Sequence, residues 1–140
     1  MNQPVQTPIA ELKSLSGNII TVTVRPGAEI DMDAARELTA LAEVMLNTEI
    51  PYSGFIFDLS GITYIYDQAR DHLANGDGLK GKTVGIGLIS HSSIGKMNCN
   101  LFVILGRRAG FPVKVFESAA KAEHWLRNRM NMVMGASSAA

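Results

Sequence analysis

The chain has 140 residues, 46% of them hydrophobic and 19% charged, with 13 basic and 13 acidic side chains that cancel. That length suits one domain whose core needs no metal or disulfide, and the single cysteine, Cys99, excludes an intramolecular disulfide. Zero net charge argues against a nucleic-acid footprint or general attraction to anionic membranes, and no apolar run reaches the roughly 18 residues of a membrane span.

Residues 1–8 hold Pro4 and Pro8 among polar side chains and read as a flexible arm before a single domain over 9–130. The opening MNQPVQTPIAEL has no charged segment followed by an apolar core, so it does not read as a signal peptide, and a cytoplasmic setting is expected. Apolar positions over 9–15, the turn Ser16-Gly17-Asn18 and the β-branched run Ile19–Val24 suit an antiparallel hairpin. Asp31 or Asp33 then caps a helix running to about residue 47, with Ala34, Leu38, Leu41, Ala42 and Met45 as its buried stripe. The run GFIF at 54–57 suits a central strand covered on both faces.

A short helix is expected over 67–75, stopped by the Asn-Gly-Asp-Gly sequence at 75–78. In the next strand, Thr83–Ile89, Gly85 and Gly87 are placed on one face and Val84, Ile86 and Leu88 on the other. A glycine face suits close packing by a helix, or leaves room for a ligand. Ser92 or Ser93 caps a third helix, with Ile94, Met97, Leu101, Ile104 and Leu105 on one face. After Gly110 and Pro112 come a last strand, Val113–Phe116, and a helix capped by Ser118. That helix carries Ala119, Ala122, Leu126 and Met130 on one face with Trp125 beside them, and residues 131–140 read as a disordered tail. The order β-β-α-β-α-β-α-β-α favours an α/β fold with a mixed, mostly parallel sheet of about five strands under four helices.

The sequence SHSSIGKM at 90–97 lies between a strand and a helix, where a phosphate-binding loop would sit. That loop needs glycine first and Ser or Thr after the lysine. Ser90 and Met97 occupy those places, which excludes a nucleoside triphosphatase of this type. Ser90, His91, Ser92, Ser93 and Lys96 at the helix start either cradle a small anion or simply cap the helix and meet solvent. His72, His91 and His124 lack partners at metal-ligand spacing, and His72 and His124 are expected at solvent. Asp67, Asp71 and Asp77 do not match a calcium loop, and the Arg107-Arg108 pair reads as a solvated helix end. With no Gly-x-Ser-x-Gly elbow and no nucleophile beside a visible base, no cofactor, metal or catalysis is expected.

The segments Phe57-Asp58-Leu59-Ser60, Ile62-Thr63-Tyr64-Ile65 and Tyr66-Asp67-Gln68-Ala69 together resemble the motif of STAS domains. In those domains a strand ending near Asp-Leu-Ser precedes a short apolar segment and then Asp-Ser-Ser-Gly at a helix start. Asp67-Gln-Ala-Arg70, the helix through Phe102, and Phe111-Pro-Val-Lys-Val-Phe116 leading to Ala122-Glu-His-Trp-Leu126 are similar to a branch of small bacterial proteins of SpoIIAA-like fold. The resemblance covers about residues 15–128.

It implies a SpoIIAA-like fold and a non-enzymatic regulatory or protein-interaction module, with a protein partner and possible homodimerisation. A domain binding a small anion or lipid is the alternative. By the resemblance, Asp67 stands where the phosphorylatable serine stands, Tyr66 replaces the preceding Asp, and Ala69 replaces the Gly. A carboxylate cannot take phosphate from a serine kinase, so the usual switch is absent at this position. Asp67 then either caps a helix or holds a fixed charge that imitates the phosphorylated state. Ser60, Asp67, Arg70 and the polar residues of 90–96 are the candidate binding residues.

Overall fold

β-Branched and aromatic residues alternate along the strands and so divide the sheet into two faces, which the helices cover unequally. A computed structural model describes residues 4–74, 83–105 and 110–139. Strands β1 (Val5–Gln6), β2 (Ala10–Leu15), β3 (Ile19–Val24) and β4 (Ala28–Ile30) precede helix α1 (Met32–Met45). Strands β5 (Ser53–Asp58) and β6 (Ile62–Ile65) lead into α2 (Asp67–Ala74). Then follow β7 (Thr83–Ile89), α3 (Ser93–Leu105), β8 (Val113–Phe116) and α4 (Ala119–Ala139).

The main sheet has six strands in the order β1-β2-β3-β5-β7-β8. Its first three strands pair antiparallel, and β3, β5, β7 and β8 run parallel. Strands β4 and β6 form a separate parallel pair. The expected stop at 75–78, Asp77, the Arg107-Arg108 pair and the side chain of Leu105 lie outside the described residues.

Two cores result. On one face Leu12, Ile20, Val22, Phe55, Phe57, Ile86 and Leu88 meet Leu38, Leu73 and Phe102 of the first three helices. On the other, Ile19, Ile56, Val84 and Ile89 meet Ala122, Leu126 and Met130 of α4. The central strand β5 is thus covered on both sides, as its unbroken apolar run requires. Val84 departs from the expected alternation. The register shifts so that Ser53 pairs with Thr83 and Gly54 with Gly85. The extra residue turns Val84 to the α4 side, as a bulge does.

Local chemistry explains the ends of the elements. Asp31, not Asp33, is the N-cap of α1, its Oδ1 accepting from the Ala34 amide at 2.8 Å. Ser118 caps α4 through the Lys121 amide. Asn18 is buried with φ of 68°, a left-handed conformation Asn tolerates. Its side chain accepts from the Asn47 amide at 2.8 Å and donates to the Tyr52 carbonyl at 3.0 Å, tying the hairpin turn to the chain after α1.

Three regions differ from expectation. The described part of the 1–8 arm is held, because Val5–Gln6 pair with β2 and the buried Thr7 hydroxyl accepts the Ala10 amide at 2.9 Å. Helix α4 continues through 131–139, where a disordered tail was expected. Met and Ala there are good helix formers, and Val133 still packs on the second core. His72, expected at solvent, is half-buried with Nε2 at 3.1 Å from Thr39 Oγ1.

The glycine face of the central strands is closed by α4. A Cβ at Gly85 would lie 2.9 Å from the Trp125 ring, one at Gly87 2.9 Å from Ala122 Cβ, and one at Gly54 3.0 Å from Leu126. The helix occupies the room that a ligand would have needed on this face. Gly87→Ala is expected to cost about 1–3 kcal/mol by overpacking. Ala122→Gly in the same chain should recover part of that loss, measured as a double-mutant cycle in urea unfolding.

Candidate functional site

The candidate residues gather at the carboxyl ends of β5 and β7, where open parallel sheets place their sites. The chain leaves β5 at Asp58, whose Oδ1 accepts the Ser60 amide at 3.0 Å. Ser60 Oγ in turn accepts the His91 amide at 2.9 Å. Ser92, not Ser93, is the cap of α3: its Oγ accepts from Gly95 at 3.0 Å and its carbonyl from Lys96 at 2.9 Å. Ser90 Oγ accepts the Ser92 amide at 3.1 Å. The hydroxyls of Ser60, Ser90 and Ser92 are therefore engaged in seating α3, while His91, Ser93 and Lys96 are exposed.

A groove of about 310 Å³ lies beside this junction, lined by Ser90, Lys96, Asn100, Val115, Phe116 and Glu117. The Lys121 ammonium, hydrogen-bonded to Glu117 at 2.8 Å, holds that carboxyl below its ordinary range.

Asp67 does not cap α2. It is the first helical residue, and the preceding Tyr66 carbonyl accepts the Arg70 amide at 2.9 Å. The Asp67 carboxylate instead meets Arg70 Nη1 at 3.1 Å, from an almost fully exposed position. Sequence reasoning was one residue off, because a helix-opening acid serves equally as a cap or as a first-turn charge that favours the helix dipole.

Arg70 does more than pair on the surface. Its side chain is 13% exposed, and Nη2 donates to Asn98 Oδ1 at 3.1 Å and lies 3.4 Å from the Ile65 carbonyl. Asn98 is itself buried and donates to the Ile94 carbonyl at 3.0 Å. Arg70 thus joins α2, β6 and α3, and Asn98 is a participant that the sequence did not mark. Arg70 Nε is buried without a hydrogen-bond partner among the described residues.

Helix α3 presents the apolar face of Ile94, Met97, Leu101 and Ile104 outward rather than to the core. Gly95, Asn98, Cys99 and Phe102 point inward. Ile94, Met97 and Ile104 are 47%, 57% and 54% exposed, with Leu101 half-buried between them. Tyr64 and Tyr66, also about half exposed, form an edge-on ring pair at 5.1 Å beside α2. A second groove, of about 350 Å³, is lined by Asp31, Asp33, Tyr66 and Asp67. Among the described residues no three His, Cys, Asp or Glu side chains are grouped to hold a metal ion, and no helix is long and apolar enough to cross a membrane.

Residues 13–130 match the family described as Domain of unknown function (DUF7793). The chain belongs to that family. Its match starts inside β2 and ends at the buried Met130, so it takes in all of α3 and most of both cores but omits β1 and the buried Ala10 and Leu12. A solved structure, an uncharacterized protein from the DUF3478 family with a SpoIIAA-like fold from Shewanella loihica PV-4, is similar over 90% of this chain and 95% of that one. The TM-score is 0.54 at 13% identity. The DUF7793 chain therefore has a SpoIIAA-like fold, as the sequence motifs implied. No curated protein matches it.

Two outcomes follow for this DUF7793 chain. Asp67→Asn should lower stability by less than about 1 kcal/mol, since an exposed ion pair is worth little. Arg70→Met should cost more, about 1.5–3 kcal/mol, by removing charged hydrogen bonds to buried acceptors; urea unfolding measures both. Burial, with the Asp58 charge adding to it, raises Cys99 from 9.0 to about 11. The folded thiol holds its proton more tightly than the unfolded one. Its contribution to stability is therefore complete below about pH 9 and is lost as pH rises toward 11. Iodoacetamide at pH 8 should label Cys99 only after denaturation, as read by mass spectrometry.

Proposed function

We propose that this protein is a non-enzymatic, cytoplasmic interaction module of STAS-like type, docking a protein partner through the outward face of α3 and lacking a serine switch at position 67. The observation that carries this reading is the outward row of exposed Ile94, Met97 and Ile104 with half-buried Leu101 on a helix whose opposite face already fills the core. A surface helix normally keeps one apolar face, and a contiguous apolar patch on a domain surface marks a contact site. The likeness to partner-binding STAS domains supports the same reading.

A small anion is the second reading, favoured by Lys96 and Ser90 sharing an open groove. A thermal-shift titration with inorganic phosphate tests it, and an unchanged melting temperature removes it. For the leading reading, a photo-crosslinker placed at Met97 in cells should yield a discrete adduct that Ile104→Lys abolishes while the melting temperature is kept. No discrete adduct, or one indifferent to Ile104→Lys, would remove the α3 face from the function.

A further inference from the structure

We infer that the partner at the α3 face is a second copy of this chain, packed through an antiparallel pair of α3 helices. The inference rests on the interaction reading above and identifies its occupant. The outward apolar positions are 94, 97 and 104, which are exposed, and 101, which is half-buried between them, spaced three, four and three apart. On a helix these fall within an arc of about 80°, and the spacing is that of alternating core positions in a coiled coil. It is also symmetric about position 99. Reversing one copy sets Ile94 against Ile104 of the other and Met97 against Leu101, and the two-fold axis repeats both contacts. A surface that is complementary to itself in this way is what an isologous dimer requires.

The charges agree with self-pairing. Lys96 is the only charged residue in α3, and it lies on the flank facing β8, beside the groove with Val115. The neighbours of the apolar row toward solvent, Ser93 and Asn100, are neutral. Along α3 itself two copies therefore meet without like charges opposed, and the zero net charge adds no general repulsion. Antiparallel helices also set opposite dipole ends together. Cys99, at the centre of symmetry, points into the core, so the pair is non-covalent. Four side chains per copy make a contact at the small end of specific interfaces, below about 1,200 Å² in total. The dimer should therefore dissociate on dilution.

Sedimentation velocity over about a hundredfold range of concentration tests this. The unmodified chain should shift from monomer to dimer as concentration rises. Met97→Lys should stay monomeric with an unchanged melting temperature, its side chain being exposed, and Leu101→Glu should also stay monomeric, with a modest fall in melting temperature because Leu101 is half-buried. Mixing the two variants should restore a dimer, because the substituted positions face each other across the pair. A chain monomeric at every concentration overturns the inference, as does a dimer that Met97→Lys leaves intact or a mixture that fails to re-pair. If the chain is monomeric and the Met97 crosslinker still captures a different protein, self-pairing alone is lost and the interaction reading stands.

Discussion

Gly95 is the residue on which the orientation of α3 depends. A Cβ there would overlap Ser90 Oγ and come within 2.6 Å of the Leu59 carbonyl and 2.8 Å of Ser92 Oγ. The first turn of the helix can therefore press against the end of β5 only with Gly95 inward. Phe102 and Cys99 lie on the same side of the helix and go into the core with it. The opposite side, with Met97 and Ile104, is left to solvent. The serine hydroxyls around this turn reinforce the choice, since Ser60, Ser90 and Ser92 all spend their acceptors on backbone amides of the 91–95 segment. Of the two roles these serines suggest in sequence, capping and cradling, the contacts of Ser60, Ser90 and Ser92 are those of capping and mounting the helix.

The opposite face of the sheet is closed by similar means. Gly54, Gly85 and Gly87 form a flat strip on which α4 lies, with Leu126, Trp125 and Ala122 filling the space that their missing side chains leave. Trp125 also stacks near Phe116 at 5.1 Å and takes the Arg129 guanidinium over its ring. Arg129 Nε donates to the Val84 carbonyl at 2.8 Å, at the bulge itself. One face is thus sealed by a single helix on glycine, and the other by three helices, of which α3 keeps a row of apolar side chains outside while α1 leaves Val44 alone of its large apolar side chains exposed. This difference turns attention from the glycine face, where a ligand had seemed possible from the sequence, to α3.

Element order and the hairpin were legible because β-branched runs and Ser-Gly-Asn turns carry local signals that tertiary structure did not override. The parallel centre of the sheet was legible from the unbroken apolar runs at 54–57 and 83–89. The strands at Val5–Gln6, Ala28–Ile30 and Ile62–Ile65 are too short to declare a period. The orientation of α3 was not legible for a different reason. Periodicity reports that a helix has an apolar row but not which way it points, and α3 has two candidates. The deciding information lay in the least conspicuous residues: Gly95 with no side chain, and Asn98 with a polar one. A buried Asn reads as surface unless its partner is known, and that partner, Arg70, comes from another helix.

That Arg70–Asn98 contact also changes what Asp67 means. A cap would act only on its own helix. The observed Asp67 carboxylate acts on Arg70, and Arg70 holds Asn98, whose amide group holds the carbonyl of Ile94. Ile94 opens the apolar row. The position that, by the sequence resemblance, matches the phosphorylatable serine of STAS domains is therefore joined by three consecutive hydrogen bonds to the first residue of the outward face. At the surface a lone carboxylate has little leverage on stability. Its reach comes from its partner, because Arg70 is mostly buried and satisfies acceptors on two other elements. Charge at position 67 is thus connected, through Arg70 and Asn98, to the seating of α3 against α2.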